Sequence, residues 1–207
     1  MGLINLLIRD PLAFILLAIP LLYSIIFHEL AHGWVANRMG DATAKWLGRL
    51  TLNPLRHLDP IGTVMLFLFG FGWAKPVPIN MRNVRSQRLG LILISSAGII
   101  ANVILASLAV FFYQYLSSSP YGMLGTILRY FAQINIMLAS FNLIPIPPLD
   151  GSRVLTGFMP RKFQYTMASI ERYGFLIIIA LLYLHVLDPV IDLFQSAIIA
   201  IITLILP

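Results

Sequence analysis

Five consecutive residues, His28-Glu29-Leu30-Ala31-His32, lie inside an apolar stretch that is long enough to cross a lipid bilayer. On an α-helix, side chains four positions apart share a face, so the two histidines can present their imidazoles to one metal ion. Glu29 lies beside the first histidine, where its carboxylate can act as general base on a water molecule that the metal activates. Ionisable groups are costly at membrane depth, and their presence there indicates a functional site. The pattern therefore predicts zinc-dependent hydrolysis inside a membrane.

A catalytic zinc ion commonly takes three protein ligands and a water molecule, so the chain must supply one more ligand. The sequence has no cysteine, so that ligand is a histidine or a carboxylate. Asp150 is a good candidate because it follows a proline-broken stretch at membrane depth, and Gly151 lets the backbone turn its carboxylate inward. An ordinary Asp-Gly turn at the membrane surface explains the same two residues. His57 competes for this role, or else orders its own polar loop, and the other candidates are Asp59, Glu171, His185 and Asp188.

Polar or small residues inside two other apolar spans are candidates for contacts with a substrate. The amide of Asn102 could hydrogen-bond an extended substrate backbone, and that of Asn142 could hold the substrate or donate to a developing oxyanion. A structural hydrogen bond between helices accounts equally well for either asparagine. Gly98 and the small residues around it allow close approach of two helices, which is the simpler explanation of that glycine.

The composition indicates one integral membrane domain that spans residues 1–207. The chain is 59% hydrophobic and only 11% charged, whereas soluble domains carry about 25% charged residues. The net charge of +6 does not predict nucleic-acid binding, because the basic residues fall in short loops between apolar spans. The N-terminal apolar run continues without a cleavage site into the histidine motif, so it is not interpreted as a signal peptide.

The apolar runs predict a mainly α-helical, polytopic fold with about five transmembrane helices, near 12–36, 89–116, 121–144, 175–187 and 190–206. The last two form a C-terminal helical hairpin at about 173–206. The run 61–74 is too short for an ordinary crossing and has strand-like residues, so we expect a re-entrant β-hairpin at about 61–80. A short transmembrane helix is the alternative for this segment.

Basic residues are concentrated in the segments 37–88 and 150–172, which this topology places on one side of the membrane. The positive-inside bias assigns that side to the cytosol. His28 lies about 13 Å from the end of its span by helix rise, so the site is expected near the cytosolic face of a cell membrane.

Several motifs together resemble the site-2 protease family of intramembrane zinc metalloproteases, in family order between about residues 24 and 155. They are the His28–His32 pentapeptide, Gly98-x-x-x-Asn102, Asn142-x-x-Pro145-x-Pro147-x-Leu149-Asp150-Gly151, Asn53-Pro54 through His57-x-Asp59-Pro60-x-Gly62-Thr63, and Gly72-Trp73-Ala74-Lys75-Pro76-Val77-Pro78. The chain resembles the bare family core, within about residues 12–155, without a PDZ-like insertion or another accessory domain.

The resemblance implies one Zn²⁺ per chain, bound by His28, His32 and Asp150, with Glu29 as general base. It implies that the segment from Gly98 to Asn102 lies beside the active site and contacts substrate, and that a small membrane-associated sheet follows the zinc helix. The implied activity is regulated intramembrane proteolysis, in which transmembrane segments of other membrane proteins are cut. The expected partners are such a substrate and the lipid bilayer.

Two other functions are compatible with a metal site in a membrane. One is a non-proteolytic zinc-binding scaffold or transporter, which would bind zinc without cleaving a membrane substrate. The other is a di-iron membrane oxidase, which needs many histidines or several carboxylates, whereas this chain has four histidines.

Overall fold

The computed structural model describes residues 3–69, 72–116 and 122–206. Its α-helices are α1 (Leu3–Arg9), α2 (Pro11–Arg38), α3 (Thr43–Trp46), α4 (Pro60–Phe69), α5 (Gln87–Leu116), α6 (Met123–Leu143), α7 (Asp150–Phe158), α8 (Arg161–Tyr183) and α9 (Asp188–Ile205). Helices α2, α5, α8 and α9 are long and apolar enough to cross a membrane. The predicted class, a mainly α-helical polytopic membrane protein, is therefore confirmed.

Helix α2 carries the histidine motif and has clear start and stop signals. The Oδ1 atom of Asp10 accepts a hydrogen bond from the amide of Ala13 at 2.9 Å, and Pro11 takes a first-turn position that needs no amide donor. Gly40, with φ of 112°, follows the helix in a conformation that glycine adopts without strain. At 28 residues the helix is about 42 Å long, so it can cross the bilayer and extend beyond it.

Asp41 connects the segment before α5 to the C-terminal end of α2 through hydrogen bonds. Its buried carboxylate accepts hydrogen bonds from the Asn80 amide at 2.6 Å, the Asn83 side chain at 3.0 Å and the Thr43 hydroxyl at 2.5 Å. Burial by itself raises the pKa of Asp41. The hydrogen bonds together lower the pKa by a larger amount, so the net pKa lies below the ordinary value of 3.8. The charged form of this side chain therefore stabilises the fold.

The predicted β-hairpin at about 61–80 is wrong for the part of it that the structure describes. Pro60–Phe69 is the helix α4, and the extended segment after it forms one isolated β-bridge, between Leu58 and Ala74. Asp59 starts the helix, because its Oδ1 atom accepts a hydrogen bond from the Gly62 amide at 2.8 Å. This cap and the proline after it outweigh the strand preference of the apolar residues. Ten residues span about 15 Å, which is also too short for the alternative of a transmembrane helix.

The remaining predicted crossings coincide with helices whose bounds differ in places. Helix α6 lies where the third crossing was predicted and is long enough to span, but it is not one of the four helices with an 18-residue segment that is apolar enough to cross a membrane. Helix α8 begins at Arg161 rather than near residue 175, because the charged stretch interpreted as a loop is helical. Its Glu171 pairs with Arg153 of α7 at 2.8 Å. Residues 117–121, which include the predicted start of the third crossing, lie outside the described residues, as do residues 70 and 71 of the predicted hairpin.

Helices α2, α5 and α6 pack together, and α7 lies against α5. Small side chains permit the close packing of α5 on α6, since Ala106 and Ala139 are both fully buried. Helix α9 covers this contact with Ile198 and Ile202. Helices α2, α5 and α7 meet at one side of this contact.

Candidate metal centre

Three side chains from two distant parts of the sequence converge at one point. The Nε2 atoms of His28 and His32 lie 3.0 Å apart, and the Oδ2 atom of Asp150 lies 3.0 and 3.1 Å from them. All three residues are buried. Within the described part of the chain, they form the group of histidine and acidic side chains whose ligand atoms are close enough to hold a metal ion.

The hydrogen bonds behind the two imidazoles determine which ring nitrogens face the centre as electron-pair donors. His28 Nδ1 lies 2.5 Å from Asn102 Oδ1, and His32 Nδ1 lies 2.6 Å from the carbonyl oxygen of Ile94. Because a carbonyl oxygen only accepts hydrogen bonds, each Nδ1 carries the hydrogen and each Nε2 presents a lone pair. The buried Oδ2 atom of Asp150 has no hydrogen-bond donor.

These three atoms fit a zinc ion. Three electron-pair donors that face one another repel unless a cation, either a proton or a metal ion, lies among them. Zinc binds histidine nitrogen and carboxylate oxygen at about 2.0–2.2 Å, so its ligand atoms in a tetrahedral site lie about 3.3 Å apart. The observed separations of 3.0 to 3.1 Å are close to that value.

Asp150 is the first residue of α7, and both ends of this helix are held in place. At its start, a Cβ atom on Gly151 would lie 2.2 Å from the carbonyl oxygen of Leu143, so a glycine is required by close approach rather than by the predicted turn. At its end, the guanidinium of Arg88 donates hydrogen bonds to the carbonyl oxygens of Gly157 at 2.9 Å and Phe158 at 3.0 Å. Helix α7 is thus fixed against α5, and its first residue faces α2.

Gly98 lies directly against the two imidazoles. A Cβ atom built on it would lie 2.5 Å from His28 Cε1, 2.5 Å from His32 Nε2 and 2.6 Å from His28 Nε2. The sequence predicts that this glycine permits close approach of two helices. In the structure, the side chains that approach it are the two candidate ligands of α2.

Glu29 follows His28 on α2 and is half-buried. Its Oε2 atom accepts a hydrogen bond from the backbone amide of Val77 at 2.8 Å. Pro76 and Pro78 flank that residue and lack amide hydrogens, so Val77 is the one backbone donor of this tripeptide. The contact holds one carboxylate oxygen of the predicted general base.

The other predicted site residues lie in different surroundings. The Nδ2 atom of Asn142 donates to the carbonyl oxygen of Leu138 one turn earlier, at 2.9 Å. His57 is buried with its Nε2 atom 2.8 Å from the carbonyl oxygen of Thr51, and it does not belong to the candidate metal group. This contact lies within its own polar loop, and the role of His57 stays a prediction. The substrate-binding roles of Asn142, Asn102 and Gly98 stay predictions.

Two buried polar residues near the site were missed from the sequence. Asn135 of α6 and Ser24 of α2 are fully buried and hydrogen-bonded to each other at 2.8 Å. Their signal was an asparagine amide within an apolar span, which needs several partners, and a serine one helical turn before His28.

Several known proteins that are similar to this chain are named as zinc metalloproteases. The model of peptidase family M50 matches residues 117–185. The Bacillus subtilis protein named "Putative zinc metalloprotease YwhC" is 42% identical over 174 residues, which cover 80% of this chain and 78% of that protein. MJ0611 of Methanocaldococcus jannaschii is 34% identical over 80% of this chain and 81% of its own length. Rip2 of Mycolicibacterium smegmatis is 29% identical over 82% of this chain and 67% of its own.

No solved structure matches the chain. The extent of the similarity to YwhC, together with the match of the family model, nevertheless decides the family. The chain belongs to peptidase family M50, the site-2 protease family whose motifs its sequence carries.

Proposed function

We propose that this protein is an intramembrane zinc metalloprotease that hydrolyses peptide bonds within transmembrane segments of other membrane proteins. The observation that carries the proposal is the buried convergence of His28, His32 and Asp150 beside Glu29, on a helix that can cross the membrane. Relatives named as zinc metalloproteases support the reaction class. The position of His28, Glu29 and His32 within α2 supports proteolysis inside the membrane.

His28, His32 and Asp150 would hold one zinc ion per chain, which would activate a water molecule and polarise the carbonyl group of the substrate. Glu29 takes the proton of the attacking water and later delivers it to the leaving amine, so the carboxylate ends the cycle unchanged. Its Oε2 atom is held by the amide of Val77, which leaves Oε1 for the proton. This contact also limits the rotation of the carboxylate.

A transmembrane substrate must unwind locally, because a helix engages its carbonyl groups in backbone hydrogen bonds. Asn142 is the better candidate for holding the unwound backbone or the oxyanion. It is half-buried and donates one hydrogen bond within α6, so its amide has further capacity. The amide of Asn102 is already engaged by His28 and Asn135, which favours a role in positioning the imidazole.

The orientation of the protein follows from its charge. The basic segments 37–88 and 150–172 flank the site in sequence, and the positive-inside bias places them in the cytosol. We therefore propose a multi-pass protein of the cell membrane with its active site near the cytosolic face. The short distance between that face and the site lets water, which hydrolysis consumes, reach the site from the cytosol.

The test compares purified wild type with three variants in proteoliposomes that contain a helix-destabilised transmembrane substrate, with zinc content measured in parallel. Glu29→Gln should retain one zinc ion but lose about 100-fold or more in cleavage rate, because the general base is absent. Asp150→Ala should lose zinc. Glu171→Gln removes an ion pair at the surface and serves as the control, with zinc and cleavage both retained.

Cleavage at the wild-type rate by Glu29→Gln contradicts the general-base role, and stoichiometric zinc in Asp150→Ala contradicts the ligand assignment. Stoichiometric zinc in the wild type without cleavage of any membrane substrate would instead favour a zinc-binding scaffold or transporter.

A further inference from the structure

A chain of buried hydrogen bonds connects the candidate metal centre to helix α6. It runs from His28 through Asn102 and Asn135 to Ser24, and Ser24, Asn102 and Asn135 are all fully buried. We propose that Asn135 is a positioning residue for the metal centre, because it fixes the orientation of the Asn102 amide and thereby the tautomer of His28. This inference rests on the proposed function, since it assumes that His28 binds zinc.

The direction of the hydrogen bonds is set at the far end of the chain by two backbone carbonyl groups. The hydroxyl of Ser24 donates to the carbonyl oxygen of Pro20 at 2.7 Å, so its oxygen is left to accept. Asn135 places its Nδ2 atom 2.8 Å from that hydroxyl and 2.8 Å from the carbonyl oxygen of Phe131. Because the carbonyl of Phe131 only accepts, the NH₂ group of Asn135 must point there and its Oδ1 atom must point the other way.

The orientation of Asn102 then follows from that of Asn135. Asn135 Oδ1 only accepts hydrogen bonds, so it selects the NH₂ group of Asn102, which lies 2.7 Å away. A weaker contact of 3.5 Å from this NH₂ group to the carbonyl oxygen of Ser24 supports the same orientation. Asn102 Oδ1 consequently faces His28 Nδ1 and accepts its hydrogen, which leaves the lone pair on Nε2.

The two histidines differ in how this is achieved. His32 Nδ1 donates directly to the backbone carbonyl of Ile94, which cannot change its role. His28 depends on a side-chain amide whose two ends are nearly equal in size. If Asn102 turned over, its NH₂ group would face Nδ1, the hydrogen would move to Nε2, and His28 would no longer be a ligand. Asn135 prevents the rotation of the Asn102 amide. The Ser24 hydroxyl and the Phe131 carbonyl group in turn prevent rotation of the Asn135 amide.

The experiment measures zinc affinity of the purified full-length protein by competition with a chromophoric chelator. Asn135→Leu should weaken zinc binding about 10- to 100-fold, the usual effect of losing an outer partner of a metal-bound histidine. Ser140→Ala is the matched control, because Ser140 is equally buried on α6 and its hydroxyl donates to the carbonyl oxygen of Ile136 in its own helix. Its zinc affinity should equal that of the wild type.

A second variant separates orientation from packing. A carboxylate at position 102 accepts from His28 Nδ1 whichever way it turns, so it no longer needs Asn135 for orientation. The double variant Asn102→Asp/Asn135→Leu should therefore bind zinc about tenfold more tightly than Asn135→Leu alone. Asn102→Asp should raise zinc affinity by a smaller factor when Asn135 is present, whereas the factor would be the same in both backgrounds if Asn135 acted only by filling space.

Unchanged zinc affinity in Asn135→Leu overturns the proposal, and so does a double variant no tighter than the single one. Either result leaves the proposed protease function intact when the wild type binds zinc and cleaves its substrate. A wild type that binds no zinc overturns both.

Discussion

Replacement of Gly98 by alanine tests the candidate metal centre with the smallest possible change. The new methyl group would lie 2.5 to 2.6 Å from ring atoms of His28 and His32, whereas ordinary contact begins at 3.4 Å. The imidazoles or the helix must therefore move by about 0.9 Å to relieve the overlap. The rings cannot retreat freely, because Asn102 and the carbonyl of Ile94 hold them from behind.

The expected effect on metal binding is large. Ligand distances in a metal site tolerate about 0.2 Å of error, so a shift of about 0.9 Å removes at least one nitrogen from the ligand set. We expect Gly98→Ala to bind zinc at least about 100-fold more weakly, which is about 2.7 kcal/mol of binding free energy. The helix itself gains about 1 kcal/mol from the replacement of glycine by alanine, so unfolding of α5 does not account for the loss.

Zinc affinity and thermal unfolding are measured together on the purified protein in detergent. Gly90→Ala is the matched control, because it lies on the same helix and its methyl group would lie 2.4 Å from a side-chain carbon of Val84 rather than from a candidate ligand. That variant should change the melting temperature and leave zinc affinity unchanged. Zinc binding by Gly98→Ala at the wild-type affinity would refute the assignment of these histidines as neighbouring ligands.

Two further predictions concern the supports of the site. Arg88→Gln removes the hydrogen bonds that hold the end of α7, so it should lower the unfolding free energy by about 1–3 kcal/mol, measured by denaturation, and weaken zinc binding through displacement of Asp150. Because the pKa of Asp41 is lowered in the folded state, its contribution is complete well above pH 3.8 and is lost as the pH falls below that value. The melting temperature of the wild type should therefore fall more steeply on acidification than that of Asp41→Asn, and equal slopes would contradict this.

The ligand pair could be predicted from the sequence because helix periodicity alone places His28 and His32 on one face. The third ligand could not be derived in this way. Asp150 is more than a hundred positions away, and its approach depends on the packing of α7 against α5 and on the contact of Gly151 with Leu143. Local chemistry left Asp150 and His57 open, and only the family resemblance and the fold distinguish them.

Two segments, α4 and the first part of α8, differ from the sequence prediction, and in each a helix signal outweighs a competing one. In the run after Pro60, the Asp-Pro start signal outweighs the strand preference of the apolar residues, because a cap fixes the first turn of a helix whereas strand preference needs a partner strand. In α8, the charged residues before position 173 predict a loop from the sequence. They lie on a helix, where Glu171 pairs with Arg153 at an exposed position. Both errors concern the surroundings of the site and leave the position of α2 unaffected.

Each candidate ligand is oriented by a different part of the fold. A backbone carbonyl of α5 orients His32, side chains of α5 and α6 orient His28, and the packing of α7 positions Asp150. Three lone-pair atoms buried about 3 Å apart repel one another, so the packing of the helices must hold them together. A cation bound among the three atoms removes this repulsion. Spacing in the sequence can specify two ligands on one helix. The repulsion among three ligand atoms exists only in the folded protein, where α2, α5 and α7 pack together. Zinc should therefore stabilise the folded protein by RT ln(1 + [Zn²⁺]/Kd), and thermal unfolding with and without a zinc chelator measures this difference.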